Sequence, residues 1–188
     1  MHHISLLVLL GLTIIFYFIY VQLIKARKKV KEASSGIDVQ LKKRYDLIPN
    51  LLNMAAKFME HEKTLMEEIT KLRTQAMENS FSGNPKQQIE LENLLDKKLK
   101  DFTLSVENYP DLKSNQTMLQ AMNSLNEVEE HIAAARRFYN ASVNELKNTA
   151  EIFPGNVVAK LVNVKADMPF FEAEAAAKES IDSREFFK

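Results

Sequence analysis

Four charged side chains interrupt the apolar positions of otherwise regular helical patterns, and they are this chain's best candidates for chemistry. They are Arg44, Glu62, Glu129 and Arg136. A charge at a buried position is unfavourable unless an opposite charge lies beside it. Three interpretations stay open: ion pairs that fix how the helices align, a polar site for a partner or ligand, or misassigned apolar positions. Arg44 and Glu62 would lie about 27 Å apart on one helix, so their partners must come from other helices.

Other kinds of catalytic site find little support in the sequence. Helical di-iron sites need a Glu-x-x-His pair, but Phe58 stands three residues before His61 and Val128 three residues before His131. The four glycines stand alone, so no Gly-rich phosphate loop is present. The chain has no Cys to act as a nucleophile or a thiolate ligand. We therefore expect no catalytic metal, no cofactor and no enzymatic activity.

A continuous apolar segment lies near the N-terminus. Residues 4–24, ISLLVLLGLTIIFYFIYVQLI, contain no charged side chain. As a helix they would extend about 31 Å, close to the thickness of the hydrocarbon core of a bilayer. The segment has neither the charged start nor the small-residue cleavage site of a secretory signal. We therefore favour an uncleaved transmembrane anchor over a cleaved signal.

Five basic residues follow this segment directly and have no counterpart before it. They are Lys25, Arg27, Lys28, Lys29 and Lys31. This one-sided charge predicts that residues 1–3 lie outside the cell and that the chain after the anchor lies in the cytoplasm. The same side chains are candidate contacts for lipid headgroups, because each basic residue near an anionic surface adds about 1 kcal/mol of attraction.

The next part of the chain has the apolar periodicity of a long helix. From Ile37 to Ala76, apolar residues recur at alternating steps of four and three, which predicts one helix packed lengthwise against others as in a coiled coil. Pro49 lies inside this pattern and should kink the helix. The formal net charge is zero, so no overall field favours nucleic acid as a partner.

Two further helices are predicted after this one. The turn residues at 79–85, NSFSGNP, separate the first helix from a second, which stops at Pro110. A third helix begins with a cap near Ser114 and keeps its apolar pattern as far as Phe153, just before Pro154. Short connections between long helices make sequential neighbours antiparallel.

The sequence thus predicts an all-α fold: an N-terminal transmembrane helix, an antiparallel bundle of three long helices, and short C-terminal helical and extended segments. Met168 to Phe171 should dock on the bundle, whereas residues 172–180 should form a short helix before a frayed tail. The predicted divisions are the outer N-terminus (1–3), the transmembrane helix (4–24), the basic juxtamembrane segment (25–36), the bundle (37–153) and the C-terminal segment (154–188).

Several separate motifs occur in a recognisable order. They are IDVQLKKRYDLIPNLL at 37–52, YPDLKSNQ at 109–116, ARRFYN at 135–140, FPGNVVAK at 153–160 and FFE at 170–172. Together they resemble the LemA family of bacterial membrane-anchored helical proteins. The resemblance implies a single-pass protein of the bacterial inner membrane with a cytoplasmic helical bundle. It implies no established enzymatic activity. It also suggests that membrane organisation is one role in the family.

The function that we expect from these features is that of a membrane-anchored scaffold or adaptor. It would act through self-association into a homo-oligomer or by recruiting a protein partner, with membrane lipids around its anchor and no nucleic acid. One alternative is a ligand sensor or enzyme that uses the four charged residues. Another is a protein that organises membranes through lipid contact.

Overall fold

The computed structural model describes residues 2–164 and 166–171, and this part of the chain is helical, without a β-strand. Its α-helices are α1 (His2–Ala55), α2 (Lys63–Met77), α3 (Pro85–Val106), α4 (Pro110–Lys113), α5 (Gln116–Glu151) and α6 (Gly155–Leu161). The predicted all-α fold with a long apolar N-terminal helix is confirmed. The helix expected at 172–180 and the tail beyond it lie outside the described residues.

The first helix, α1, joins the apolar segment to the bundle without a break. It has 54 residues, which corresponds to about 81 Å. Its N-terminal part is long and apolar enough to cross a membrane and carries exposed apolar side chains. From Leu23 onward, one face of the same helix is buried against the rest of the protein. The apolar segment and the first bundle helix are therefore one continuous helix.

The first predicted bundle helix is divided in two, because α1 ends at Ala55 and α2 begins at Lys63. No Gly or Pro marks this break. It is fixed by Met59, which is fully buried at the corner and has φ −112° and ψ 56°, outside the helical region. Because α2 then reverses along α1, it buries Ile69 and Ala76 as the predicted pattern required.

The turns between the remaining helices agree with the predicted ones to within a few residues. The side chain of Asn84 caps α3 by accepting a hydrogen bond from the backbone of Gln87. The cap of α5 is Asn115 rather than Ser114, since its side chain accepts from the backbone N–H groups of Thr117 and Met118. Helix α5 returns antiparallel to α1.

Two regions of the bundle can be distinguished along its length. In the distal region, α2 and α3 pack with residues 38–55 of α1 and the first half of α5. In the other region, residues 23–37 of α1 pair with the second half of α5, and α6 covers them. We call it the membrane-proximal region because it adjoins the predicted transmembrane segment. The boundary is marked by Asp38, whose carboxylate accepts hydrogen bonds from the backbone of Phe81 (2.7 Å) and the hydroxyl of Ser82 (2.6 Å).

The extended segment 166–171 is fastened to α5 near this boundary. The Asn140 side chain accepts a hydrogen bond from the backbone N–H of Phe171 and donates one to its carbonyl (3.0 and 2.9 Å). The Tyr139 hydroxyl donates to the carbonyl of Pro169 (3.0 Å). The ring of Phe171 stacks on Phe81, with ring centroids 5.0 Å apart. Pro169 and Phe171 of the extended segment therefore lie against α5.

Candidate functional site

Arg44 lies at the centre of a buried ion network, which consists of Arg44, Glu92, Asp96, Glu129 and Arg136. The Arg44 side chain is 0% exposed. It forms ion pairs with Glu92 and Asp96 on α3 and with Glu129 on α5, the last at 3.0 Å. Since three carboxylates from two helices surround one cation from a third, the network fixes the alignment of α1, α3 and α5.

A second cation completes the network on the α5 side. Arg136 donates a hydrogen bond to Asp96 (2.9 Å), so the Asp96 carboxylate bridges two arginines. The guanidinium of Arg136 also lies 4.9 Å from the ring centroid of Phe171, a distance typical of a cation–π contact. The extended segment 166–171 is thereby connected to the charged centre of the bundle.

Glu92 is held from two sides. One of its oxygens faces Arg44, whereas the other accepts hydrogen bonds from the hydroxyl of Tyr45 and from the amide of Gln88 (3.0 Å). The Gln88 amide also donates to the backbone carbonyl of Ala76 on α2 (3.3 Å), so all four helices of the distal region contribute to the network. In the described part of the chain, no group of three His, Asp or Glu side chains is arranged to hold a metal ion.

The protein environment fixes the protonation states of two groups of the network and of the neighbouring Tyr45 hydroxyl. Burial by itself would raise the pKa of Asp96, but Arg44 and Arg136 outweigh it, so the pKa of this carboxyl lies below its usual range. Burial would also lower the pKa of Arg44, and the nearby carboxylates of Asp96 and Glu129 more than compensate, so it is raised. Burial raises the pKa of the Tyr45 hydroxyl to about 12. These three groups therefore act near neutral pH as fixed hydrogen-bonding and charged partners.

Three of the four predicted site residues meet in the network, and the fourth does not. Glu62 lies in a 3-10 turn beyond the end of α1. It is half-buried, and its carboxylate forms no ion pair with any residue that the structure describes. Sequence reasoning missed Glu92 and Asp96, the two acidic residues that α3 contributes to the network. Their signal was a polar stripe at four-residue spacing, Gln88, Glu92 and Asp96, directly beside the apolar stripe.

A second polar contact connects α2 to α1. Pro49 has no N–H group, so the carbonyl of Tyr45, four residues earlier, loses its helical hydrogen bond. The Nε of Arg73 on α2 donates to this carbonyl at 2.6 Å. The proline thus creates a free acceptor inside α1, and the returning helix satisfies it.

Four of the five basic residues that follow the apolar segment are exposed, as their predicted contact with lipid headgroups would require. The exposed ones are Lys25, Arg27, Lys28 and Lys31. Lys29 differs because it is half-buried and pairs with Glu145 on α5 at 2.5 Å. It also lies 6.0 Å from the ring centroid of Phe138. Lys29 therefore contributes to the attachment of α5 to α1.

Comparison with known proteins identifies the family. A sequence profile of the LemA family matches residues 33–183. The chain belongs to the LemA family. It is similar to a protein from Metamycoplasma hominis named Protein LemA, with 25% identity over 175 residues, which are 91% of this chain and 78% of that protein.

Three of the five motifs that resemble the LemA family come together in space. The first motif supplies Arg44 and Tyr45 to the network, and ARRFYN supplies Arg136. Asn140 from ARRFYN fastens Phe171 from FFE. In this LemA-family chain, motifs that are far apart in sequence therefore build one structural centre, the junction of α1, α3, α5 and the extended segment.

Proposed function

We propose that this protein is a scaffold or adaptor of the bacterial cell membrane. It holds a rigid helical body at the cytoplasmic surface, and it acts through self-association or recruitment of a protein partner. The observation that carries this proposal is the continuity of α1 from the apolar segment to Ala55. Because one unbroken helix joins anchor and bundle, the orientation of the bundle relative to the membrane is fixed, which is what a platform for assembly requires.

The ion network supports the same proposal. Arg44 is fully enclosed by carboxylates from two other helices, and the groups whose pKa is shifted keep one protonation state near neutral pH. Such a network stabilises one alignment of the helices over the others. Large apolar side chains remain exposed at the end of the bundle away from the anchor, namely Phe58, Leu104 and Leu119. This surface is the candidate contact for a partner or a second copy.

The orientation can be tested with single cysteines, because the chain has none of its own. A Leu104→Cys variant places a thiol on an exposed position of α3. We expect a membrane-impermeant maleimide to label it only after the cells have been permeabilised, since the basic residues after the anchor favour a cytoplasmic bundle. Labelling in intact cells would contradict the proposed topology.

The scaffold role can be tested by photo-crosslinking in cells. A photo-reactive residue at Phe58, Leu104 or Leu119 should give discrete adducts. An adduct of twice the mass of the chain indicates self-association, and another discrete mass indicates a partner. The matched control is the same reactive residue in a chain that lacks residues 1–24, in which the yield of the crosslinked adduct should decrease. If none of the three positions gives an adduct, the proposed contact surface is wrong.

A second candidate function, a ligand sensor, is favoured by a cleft beside the network. A cavity of about 270 Å³ opens between α3 and α5 at Asp96 and Glu129, with Lys100 and Asn126 on its wall. An Asn126→Trp substitution at this exposed position would fill the cleft. If the protein is a scaffold, the crosslinked adducts should persist in this variant. If it is a sensor, its activity in cells should be lost while its melting temperature stays unchanged.

A further inference from the structure

The corner between α5 and α6, residues 152–161, exposes an unusual amount of apolar surface. Phe153 is 77% exposed, and the other large apolar side chains exposed on the corner are Ile152, Val157 and Leu161. The sequence pattern predicted Phe153 as an apolar core position of the third helix. That prediction is wrong, because α5 ends at Glu151 and the chain then turns away, which leaves the ring outside the core.

The position of this corner relative to the anchor is the decisive observation. A cleft of about 300 Å³ separates the corner from α1, and its walls are Ile19 and Gln22 on one side and residues from Asn148 to Gly155 on the other. Ile19 lies five residues before the end of the apolar segment 4–24, a rise of about 7.5 Å along the helix. The corner therefore overlaps in height with the cytoplasmic end of the apolar segment.

The corner is also held firmly in this position. A Cβ atom on Gly155 would lie 2.0 Å from the Thr149 carbonyl oxygen, so α6 folds back against α5 at a distance that only glycine permits. Val158 and Ala159 are buried, which leaves Val157 and Leu161 on the outer face of α6. The apolar outer face therefore cannot turn inward without dismantling the corner.

We propose that the α5–α6 corner inserts into the cytoplasmic leaflet of the membrane, at the boundary between headgroups and acyl chains. The inference rests on the proposed membrane insertion of residues 4–24. The overlap of about 7.5 Å matches the depth at which amphipathic segments lie in a bilayer, about 5–10 Å. Lys160 is the exposed charged residue of this corner, and the exposed Glu151 directly precedes it. Lys160 can extend its aliphatic stem along the apolar surface and place its ammonium among the headgroups.

Depth-dependent quenching of single-cysteine variants tests this proposal. Phe153→Cys and Leu161→Cys report on the corner, and Leu12→Cys, in the middle of the apolar segment, reports on the anchor. The control is Leu94→Cys, on α3 in the distal region, because this leucine is 53% exposed and lies outside the proposed contact surface. Each full-length variant carries a small bimane label in vesicles of phosphatidylethanolamine and phosphatidylglycerol with a nitroxide on the acyl chain.

We expect the labels at positions 12, 153 and 161 to be quenched several-fold more strongly by the acyl-chain nitroxide than the label at 94. Iodide in the water should quench only position 94 strongly. If position 12 is not quenched by the nitroxide, the proposed anchor itself fails. If position 12 is quenched while 153 and 161 behave like 94, the anchor stands and the insertion of the corner is refuted. Protection of 153 from both quenchers would mean that protein covers the corner, which also overturns the proposal.

Discussion

In the distal region, charged side chains lie buried between helices, whereas in the membrane-proximal region α1 and α5 meet mainly through apolar side chains. The distal contacts centre on Arg44. The proximal core residues are Leu23, Ala26, Val30, Ala33, Val143 and Leu146. Apolar packing tolerates several helix alignments, but a buried cation stabilises only the one that places its carboxylates correctly. The alignment of the helices is therefore specified in the distal region and transmitted along α1 toward the apolar N-terminal segment.

The largest expected effect is the loss of the central cation. Arg44→Met leaves Glu92, Asp96 and Glu129 close together without a positive charge from α1. Breaking a buried ion pair in this way costs about 3–5 kcal/mol. We expect a decrease of this size in the free energy of unfolding, measured by urea denaturation of the full chain in detergent and followed by circular dichroism.

The matched control for this variant is Lys42→Met on the same helix. Lys42 is exposed, and among the described residues it pairs only with Asp46 one turn away (3.1 Å). Exposed pairs of this kind contribute about 0.3–0.5 kcal/mol, so this variant should be nearly as stable as the wild type. If Arg44→Met is no less stable than Lys42→Met, then the network does not specify the alignment, and the contrast between the two regions disappears.

Acid should affect the distal region before the membrane-proximal one. The folded-state pKa of Asp96 lies below the ordinary carboxyl value of about 3.9. The folded state therefore binds fewer protons than the unfolded state, and the stabilisation is complete above that ordinary value and is lost as the pH falls toward the folded-state pKa. Hydrogen exchange at decreasing pH should show α3 losing protection before residues 143–150 of α5. Simultaneous loss in both regions would show that they unfold as one unit.

The fold class, the long apolar N-terminal helix and most helix ends could be predicted from the sequence, since each depends on local pattern. The reversal at Met59 could not be predicted. The apolar period continues from α1 into α2 as if the helix were unbroken, and only the burial of Met59 in the folded protein favours the turn. Turn residues such as those at 79–85 were informative because their conformational preferences are intrinsic.

The candidate site was predicted in part, for a similar reason. Arg44, Glu129 and Arg136 stood out because they interrupt apolar positions. Glu92 and Asp96 escaped notice because they lie beside the apolar stripe of α3 rather than in it, and only the packed arrangement turns that flank toward Arg44. A charged residue in an apolar pattern can therefore be recognised from sequence, whereas its partner on a neighbouring helix often looks like an ordinary surface residue.

A smaller effect is expected where α2 meets α1. Arg73→Met removes the donor to the Tyr45 carbonyl, which Pro49 has deprived of its helical hydrogen bond. A buried acceptor left without a partner costs about 1–3 kcal/mol. In a Pro49→Ala background the backbone N–H returns, so the same Arg73→Met change should cost less there. A double-mutant cycle by urea denaturation measures this difference. Equal costs in both backgrounds would show that Arg73 stabilises the protein in another way.

The smallest effect is expected at Glu62, although it shares with Arg44 the same interruption of an apolar pattern. Glu62 is half-buried in the turn after α1, and its carboxylate has no ion pair among the described residues. Removing the Glu62 carboxylate leaves no buried cation without a partner among the described residues, so Glu62→Ala should change the free energy of unfolding by no more than about 0.5 kcal/mol. Glu129→Ala, the matched change at a residue that does contact Arg44 (3.0 Å), should destabilise clearly more. If the two variants are equally destabilised, the charged positions act alike and the network extends to the distal turn. If Glu62→Ala leaves the free energy of unfolding unchanged but abolishes the crosslinked adduct at Phe58, then Glu62 belongs to the partner surface. The distal region would then contain both a buried charged core and an exposed contact site.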